Sequence, residues 1–112
     1  MMKTNLLGRL AALSAAIAVI AGAFGAHGAS GKAVEWLRTG AEYEMIHALG
    51  ALVAARVLKA PLAALLLLAG SGLFAGTLYA MALGGPRWLG AVTPLGGVGM
   101  IAGWLVLALR RG

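Results

Sequence analysis

The chain contains no cysteine and no aspartate. Without thiols, disulfides and thiolate metal centres are excluded. Without aspartate, a Ser-His-Asp triad is excluded. The acidic residues are three glutamates, Glu35, Glu42 and Glu44, against nine lysines and arginines. Charged residues of either sign make up 11% of the 112 positions, too few to clothe a soluble surface. What is abundant is apolar: 62% of residues are hydrophobic, and the mean hydropathy is +0.94. A soluble domain of this size would expose apolar patches far beyond the few hundred Å² that monomers tolerate. The chain therefore reads as one integral membrane domain, residues 1–112, with the lipid bilayer as its first partner.

The net charge of +6 is not a nucleic-acid signature. The basic residues flank apolar runs and do not cluster with aromatics, so they read as topology determinants and anionic-lipid contacts, and no nucleic acid is expected.

Four apolar runs predict an all-α fold, a four-span transmembrane helix bundle with spans at about 6–26, 41–59, 61–83 and 89–109. The first run has a basic start and an "AGA" at Ala21–Ala23, which also suits a cleaved signal peptide. Its length opposes that, as does the four-residue spacing of Ala18, Gly22 and Ala26, a face on which another helix can approach closely. The second run is preceded by "TGAE", Thr39–Glu42, which reads as a capping box starting a helix near Thr39. The third begins with Pro61 at a helix N-terminus and carries Gly72 and Gly76 as a close-packing face. The fourth is interrupted at Thr93-Pro94, so a regular helix is expected from Pro94, with Arg87–Thr93 either interfacial or re-entrant. Gly99 and Gly103 supply its packing face.

Charge sets the orientation. Lys3, Arg9, Arg56, Lys59, Arg110 and Arg111 fall on one side, and Lys32, Arg38 and Arg87 with the three glutamates on the other. The positive-inside rule then puts both termini in the cytoplasm. "GKAVEWLRTG", Gly31–Gly40, becomes an external loop in which Val34, Trp36 and Leu37 would press a short interfacial helix onto the membrane.

Few residues could carry chemistry. His27 follows the first span, and His47 lies about 12 Å into the second counted from Thr39. Imidazoles at membrane depth either bind a metal or haem, or lock helices by hydrogen bonds. No cofactor is predicted, and a metal is assigned to His27 and His47 only if one is found. Glu44 and His47 form a single E-x-x-H; a di-iron bundle needs two copies and more carboxylates. Tyr43 shares a helix face with His47, and with Glu44 and Thr93 they could form an outer polar network, either a relay or a structural lock. The candidate ligand-binding set is thus His27, Tyr43, Glu44, His47 and Thr93. Tyr79 and Trp104 read as packing or belt residues. Ser14 lies inside a span, and Ser30 and Ser71 have no neighbouring base in sequence, so no catalytic set is assigned.

Five stretches occur in one order: "GAFGAHG" at 22–28, "TGAEYEMIHAL" at 39–49, "FAGTLYAMAL" at 74–83, "RWLGAVTPLGG" at 87–97 and "AGWLVLAL" at 102–109. Together they resemble the small membrane family known as domain of unknown function 423, to which transmembrane protein 256-like proteins are similar. The resemblance implies four spans in the bacterial inner membrane and no established activity. It also implies that "GAFGAHG" belongs to the first span and its exit. In that pattern position 44 is more often glutamine, which argues against a catalytic role for Glu44 here. The expected role is a structural or accessory inner-membrane component, as a homo-oligomer or within a larger complex. The alternative is binding or transport of a small ligand or ion at an outward-facing polar site around His27 and His47.

Overall fold

The computed structural model describes residues 2–110, with side chains from Thr4 onward; Lys3 and Arg111, counted above for orientation, lie outside the described side chains. Four helices follow one another: α1 Met2–His27, α2 Lys32–Arg56, α3 Pro61–Ala82 and α4 Leu89–Leu109. They run alternately up and down in an elongated body of 46 × 25 × 19 Å. Gly8 meets Arg56 while Gly25 meets Leu37, so α1 and α2 are antiparallel. Gly70 meets Gly96 and Met100, and Gly103 meets Leu67, so α3 and α4 are too. The helices stack in chain order, with α2 between α1 and α3, and α4 chiefly against α3.

The packing is inverted relative to a soluble bundle. The buried apolar residues are mostly alanines, and Leu67 is the largest apolar side chain wholly inside. Leu13, Ile17, Ile20, Leu49, Leu65, Val98, Ile101 and Leu105 face outward. Lipid supplies no hydrophobic force between helices, so small residues at the interface and close van der Waals contact hold them together. On α1 the inward face runs Ala11, Ser14, Ala18, Ala21 and Gly25, a period of about 3.5 residues. Ala26 of the expected Ala18–Gly22–Ala26 face is exposed, because a four-residue repeat drifts off a seam of that period.

Among the described residues three helices are long and apolar enough to cross a membrane: Thr4–His27, Pro61–Ala82 and Leu89–Leu109. The expected fourth span is not among them, since α2 carries Lys32, Glu35, Arg38, Glu42, Glu44 and Arg56. Nor is there a separate interfacial helix. Residues 32–40 are the opening turns of α2, and Leu37 is buried against Ala21 and Ala41. The helix starts after Gly31, whose φ of 64° is open to glycine and breaks the chain direction. Thr39 consequently lies inside a helix, and the expected capping box has no free amides to cap.

α3 begins at Pro61 as expected. Its packing face is Gly70, not Gly72 and Gly76: a Cβ at either of the latter would meet nothing within 4 Å. On α4, Gly99 and Gly103 do face α3, joined by Gly96. α4 starts five residues before Pro94, so Leu89–Thr93 is regular helix and not a break ahead of the proline. Short-range bonds from Leu89, Gly90 and Ala91 to Pro86, Arg87 and Trp88 open the helix, and the Thr93 hydroxyl donates to the Leu89 carbonyl at 3.1 Å. The proline falls early, where few intrahelical bonds are lost.

Candidate functional site

Polar side chains are scarce in this interior, and four of the buried ones, Ser14, Glu44, Thr77 and Thr93, are joined across helices. The main junction is Glu44, 4% exposed, in the middle of α2. Ser14 Oγ of α1 donates to Glu44 Oε2 at 2.6 Å, and the Tyr79 hydroxyl of α3 donates to Oε1 at 2.7 Å. One carboxyl group thus ties three helices. Local sequence builds the site. The Tyr79 ring lies over Gly40, one turn before Glu44, where a Cβ would come within 2.6 Å of Cε1. Only a residue without a side chain lets the ring cross α2 and its hydroxyl reach the carboxyl.

A second junction joins α3 to α4. The Thr77 and Thr93 hydroxyls share one hydrogen bond at 2.7 Å, and the Phe74 carbonyl oxygen lies 2.9 Å from Thr77 Oγ1. A third lies on another face of α2. His47 Nδ1 is 2.7 Å from the Tyr43 carbonyl; a carbonyl only accepts, so Nδ1 carries the proton. The His47 ring stacks at 6.0 Å on Tyr43, meets Trp104 of α4 edge-on at 5.6 Å, and Tyr43 contacts Phe74 at 4.7 Å. Trp104 is admitted by Gly50, as Tyr79 is by Gly40.

The five residues proposed from sequence therefore do not form one site. His27 is exposed in the last turn of α1. His47 is fifteen residues into α2, about 22 Å along the axis from that end. Tyr43 and His47 do share a face and touch. Glu44 turns the other way, towards Ser14 and Tyr79, and Thr93 belongs to the α3–α4 junction. Among the described residues no three His, Cys, Asp or Glu side chains gather to hold a metal.

Sequence reasoning missed Ser14 and assigned Tyr79 to packing. A usable signal existed. A carboxyl group at membrane depth needs donors, and in an antiparallel stack Ser14 and Tyr79 are hydroxyls from the two neighbouring helices that fall at its level.

The two ends of the bundle differ in charge. Arg56 lies across Gly8, and Arg110 Nη1 donates to the Leu58 carbonyl at 3.1 Å, at the end that also holds Lys59 and, on α1, Arg9. At the other end Arg87 sits 5.7 Å from the Trp36 ring centroid, tying the α3–α4 loop to the start of α2, and Arg38 pairs with Glu42 at 3.5 Å.

Comparison with known proteins places the chain among membrane proteins. No solved structure matches the chain. A UPF0382 membrane protein of Staphylococcus epidermidis is 44% identical over 72 residues, 60% of this chain and 59% of that protein. UPF0382 membrane protein YwdK of Bacillus subtilis is 40% identical over 85 residues, 70% of this chain and 69% of the relative. UPF0382 inner membrane protein YgdD of Escherichia coli K12 is 40% identical over 78 residues, 64% and 60% respectively. The chain thus spans about three fifths of the Staphylococcus and Escherichia relatives. Residues 21–97, which include Glu44, Tyr79 and the Thr77–Thr93 pair, match the family described as "Protein of unknown function (DUF423)". The protein is a helical membrane protein and belongs to that uncharacterised family.

Proposed function

We propose that the protein is a structural or accessory component of the bacterial inner membrane that crosses the bilayer four times, with both termini in the cytoplasm. The observation that carries this reading is the use made of its interior polar groups. Ser14, Glu44 and Tyr79 bond to one another, as do Thr77 and Thr93, and His47 bonds to backbone. Such bonds set helix register, and they leave the outer faces of α1 and α4 to lipid or to other proteins.

The crossing of α2 is supported by its place between α1 and α3 and by its outward row of Ile46, Leu49, Val53 and Val57. Its length of 25 residues corresponds to about 37 Å. Apart from Glu44, its charges lie in its first three turns and at Arg56. The orientation is supported by the basic residues at the Arg56–Arg110 end against the mixed charges at the Arg87–Glu42 end.

The absence of native cysteine makes each introduced thiol the sole label site. Lys59→Cys and Arg110→Cys are expected to resist a membrane-impermeant maleimide in spheroplasts and to react after permeabilisation. Ser30→Cys and Gly85→Cys are expected to react in intact spheroplasts. Equal labelling of Ser30→Cys and Lys59→Cys from one side would mean that α2 does not cross.

The accessory role has its own test. Crosslinking in native membranes, followed by native mass spectrometry, is expected to yield a second copy or other subunits in fixed stoichiometry. A chain recovered only as a monomer with nothing attached would overturn that role.

A further inference from the structure

The Glu44 junction is not sealed. A lateral groove of about 510 Å³ opens beside it between α1 and α3, facing the lipid side of the bundle. Leu10, Leu13, Ile17 and Leu68 form its apolar walls, and Ser14, Glu44 and Tyr79 its polar floor. The space exists because Gly72 and Gly76 present no side chain and have nothing within 4 Å of where one would begin. Its volume falls in the usual range for small-molecule pockets, about 300–1,000 Å³.

The floor has one chemical character. The Ser14 and Tyr79 hydroxyls both direct their protons at Glu44, so neither has a proton left for a ligand. A carboxylate has about four acceptor sites, and two of these are taken. The floor therefore offers hydrogen-bond acceptors and no free donor. Among the described residues the one ion pair is Arg38–Glu42, so no described basic side chain pairs with Glu44. An interior carboxyl group so placed is complementary to a cation that brings its own N–H donors.

Depth narrows the source. Ser14 lies twelve residues from Met2 and thirteen from His27, about 18 and 20 Å from the two ends of α1. A phospholipid headgroup stays at the interface and does not reach that level. A single-chain amine has one charge to bury and no phosphate, and the Glu44 carboxyl group at the groove floor compensates that charge.

We propose that the groove between α1 and α3 is a binding site for a membrane-dissolved amphiphile with a protonated amine head. The ammonium sits on Glu44, and its apolar body lies over Gly72 and Gly76 against Leu10, Leu13, Ile17 and Leu68. This goes beyond the accessory role and does not depend on it, since binding is a property of the chain alone.

The test uses the full chain in lipid nanodiscs, with dodecylammonium and dodecanol as probes and native mass spectrometry as the readout. The wild type is expected to retain one dodecylammonium per chain and no dodecanol. Glu44→Gln keeps the side-chain shape but loses the charge, and should weaken retention by about tenfold or more. Gly76→Leu fills the groove without touching the carboxyl group, and should abolish retention while the melting temperature stays near that of the wild type. If Glu44→Gln does not fold, Gly76→Leu decides. No retention by the wild type, equal retention of dodecanol, or unchanged binding in the folded Glu44→Gln or Gly76→Leu variant would overturn the proposal.

Discussion

Gly96→Leu and Gly70→Leu are expected to pull α4 away from α3 and to be the most damaging single changes in the chain. A Cβ at Gly96 would lie 2.6 Å from the Gly70 carbonyl oxygen and 2.8 Å from Phe74 Cα. At Gly70 it would lie 2.6 Å from the Met100 amide nitrogen. These neighbours are backbone, which cannot rotate aside as a side chain does, so the helix axes must separate. Separation also breaks the 2.7 Å Thr77–Thr93 bond and lifts Gly103 from Leu67. Overpacking of a tight core costs about 1–3 kcal/mol, and here the contact is with a whole helix, so the upper end or more is expected. Gly72→Ala and Gly76→Ala are the controls. Their side chains enter open space, and alanine is the better helix former by about 1 kcal/mol, so they should be neutral or stabilising. Unfolding free energies measured by steric trapping in bicelles separate the two pairs. Equal effects at Gly96 and Gly76 would show that the α3–α4 contact is not close.

The second large effect is expected at Glu44. Glu44→Ala removes the acceptor of both Ser14 and Tyr79 and leaves two hydroxyls without partners in an apolar interior. Each stranded donor costs about 1–3 kcal/mol, so a loss of about 2–5 kcal/mol is expected. Ser14→Ala and Tyr79→Phe each remove one donor and leave the carboxyl group its other partner. Hydrogen bonds between membrane helices average about 0.6 kcal/mol, so each should cost about 1 kcal/mol or less. The arrangement also predicts non-additivity. In a Glu44→Ala background, Tyr79→Phe should cost nothing or restore some stability, since the hydroxyl it removes has already lost its acceptor. A double-mutant cycle read by the same unfolding assay checks this. Additive losses would mean that the Tyr79 hydroxyl stabilises the bundle through something other than its bond to Glu44.

Both predictions concern residues that the sequence presents ambiguously. Gly96, Gly99 and Gly103 follow one face of α4 at 3- or 4-residue spacing and meet α3, but Gly72 and Gly76 on α3 are spaced alike and face outward. Gly72 and Gly76 match a small-xxx-small pattern as well as Gly99 and Gly103 do, yet only the latter pair meets a neighbour. A spacing rule states that a face is smooth. Which smooth face meets another helix depends on rotation about the helix axis, and that is decided by all the contacts of the bundle together. The same holds for the start of α2. "TGAE" has the composition of a cap, but Leu37 packs against Ala21 and Ala41 and carries the helix back to Gly31. Tertiary burial outweighs a local capping signal worth about 1 kcal/mol.

Composition and order were enough to establish a helical membrane protein and the rough extents of its four long helices, but not the continuity of residues 32–40 with α2, where a separate interfacial helix was expected. These follow from quantities that add along a chain: hydropathy, run length and charge position. The polar partners were beyond that reach. Glu44 was singled out with Tyr43, His47 and Thr93 because they are near in sequence or polar in kind. The fold instead joins it to Ser14, thirty positions earlier, and Tyr79, thirty-five later. Hydrogen bonding is directional and effective over about 3 Å, so its pairs exist only once helix rotation and register are set. In this bundle those are set by where glycine and alanine allow backbones and rings to approach.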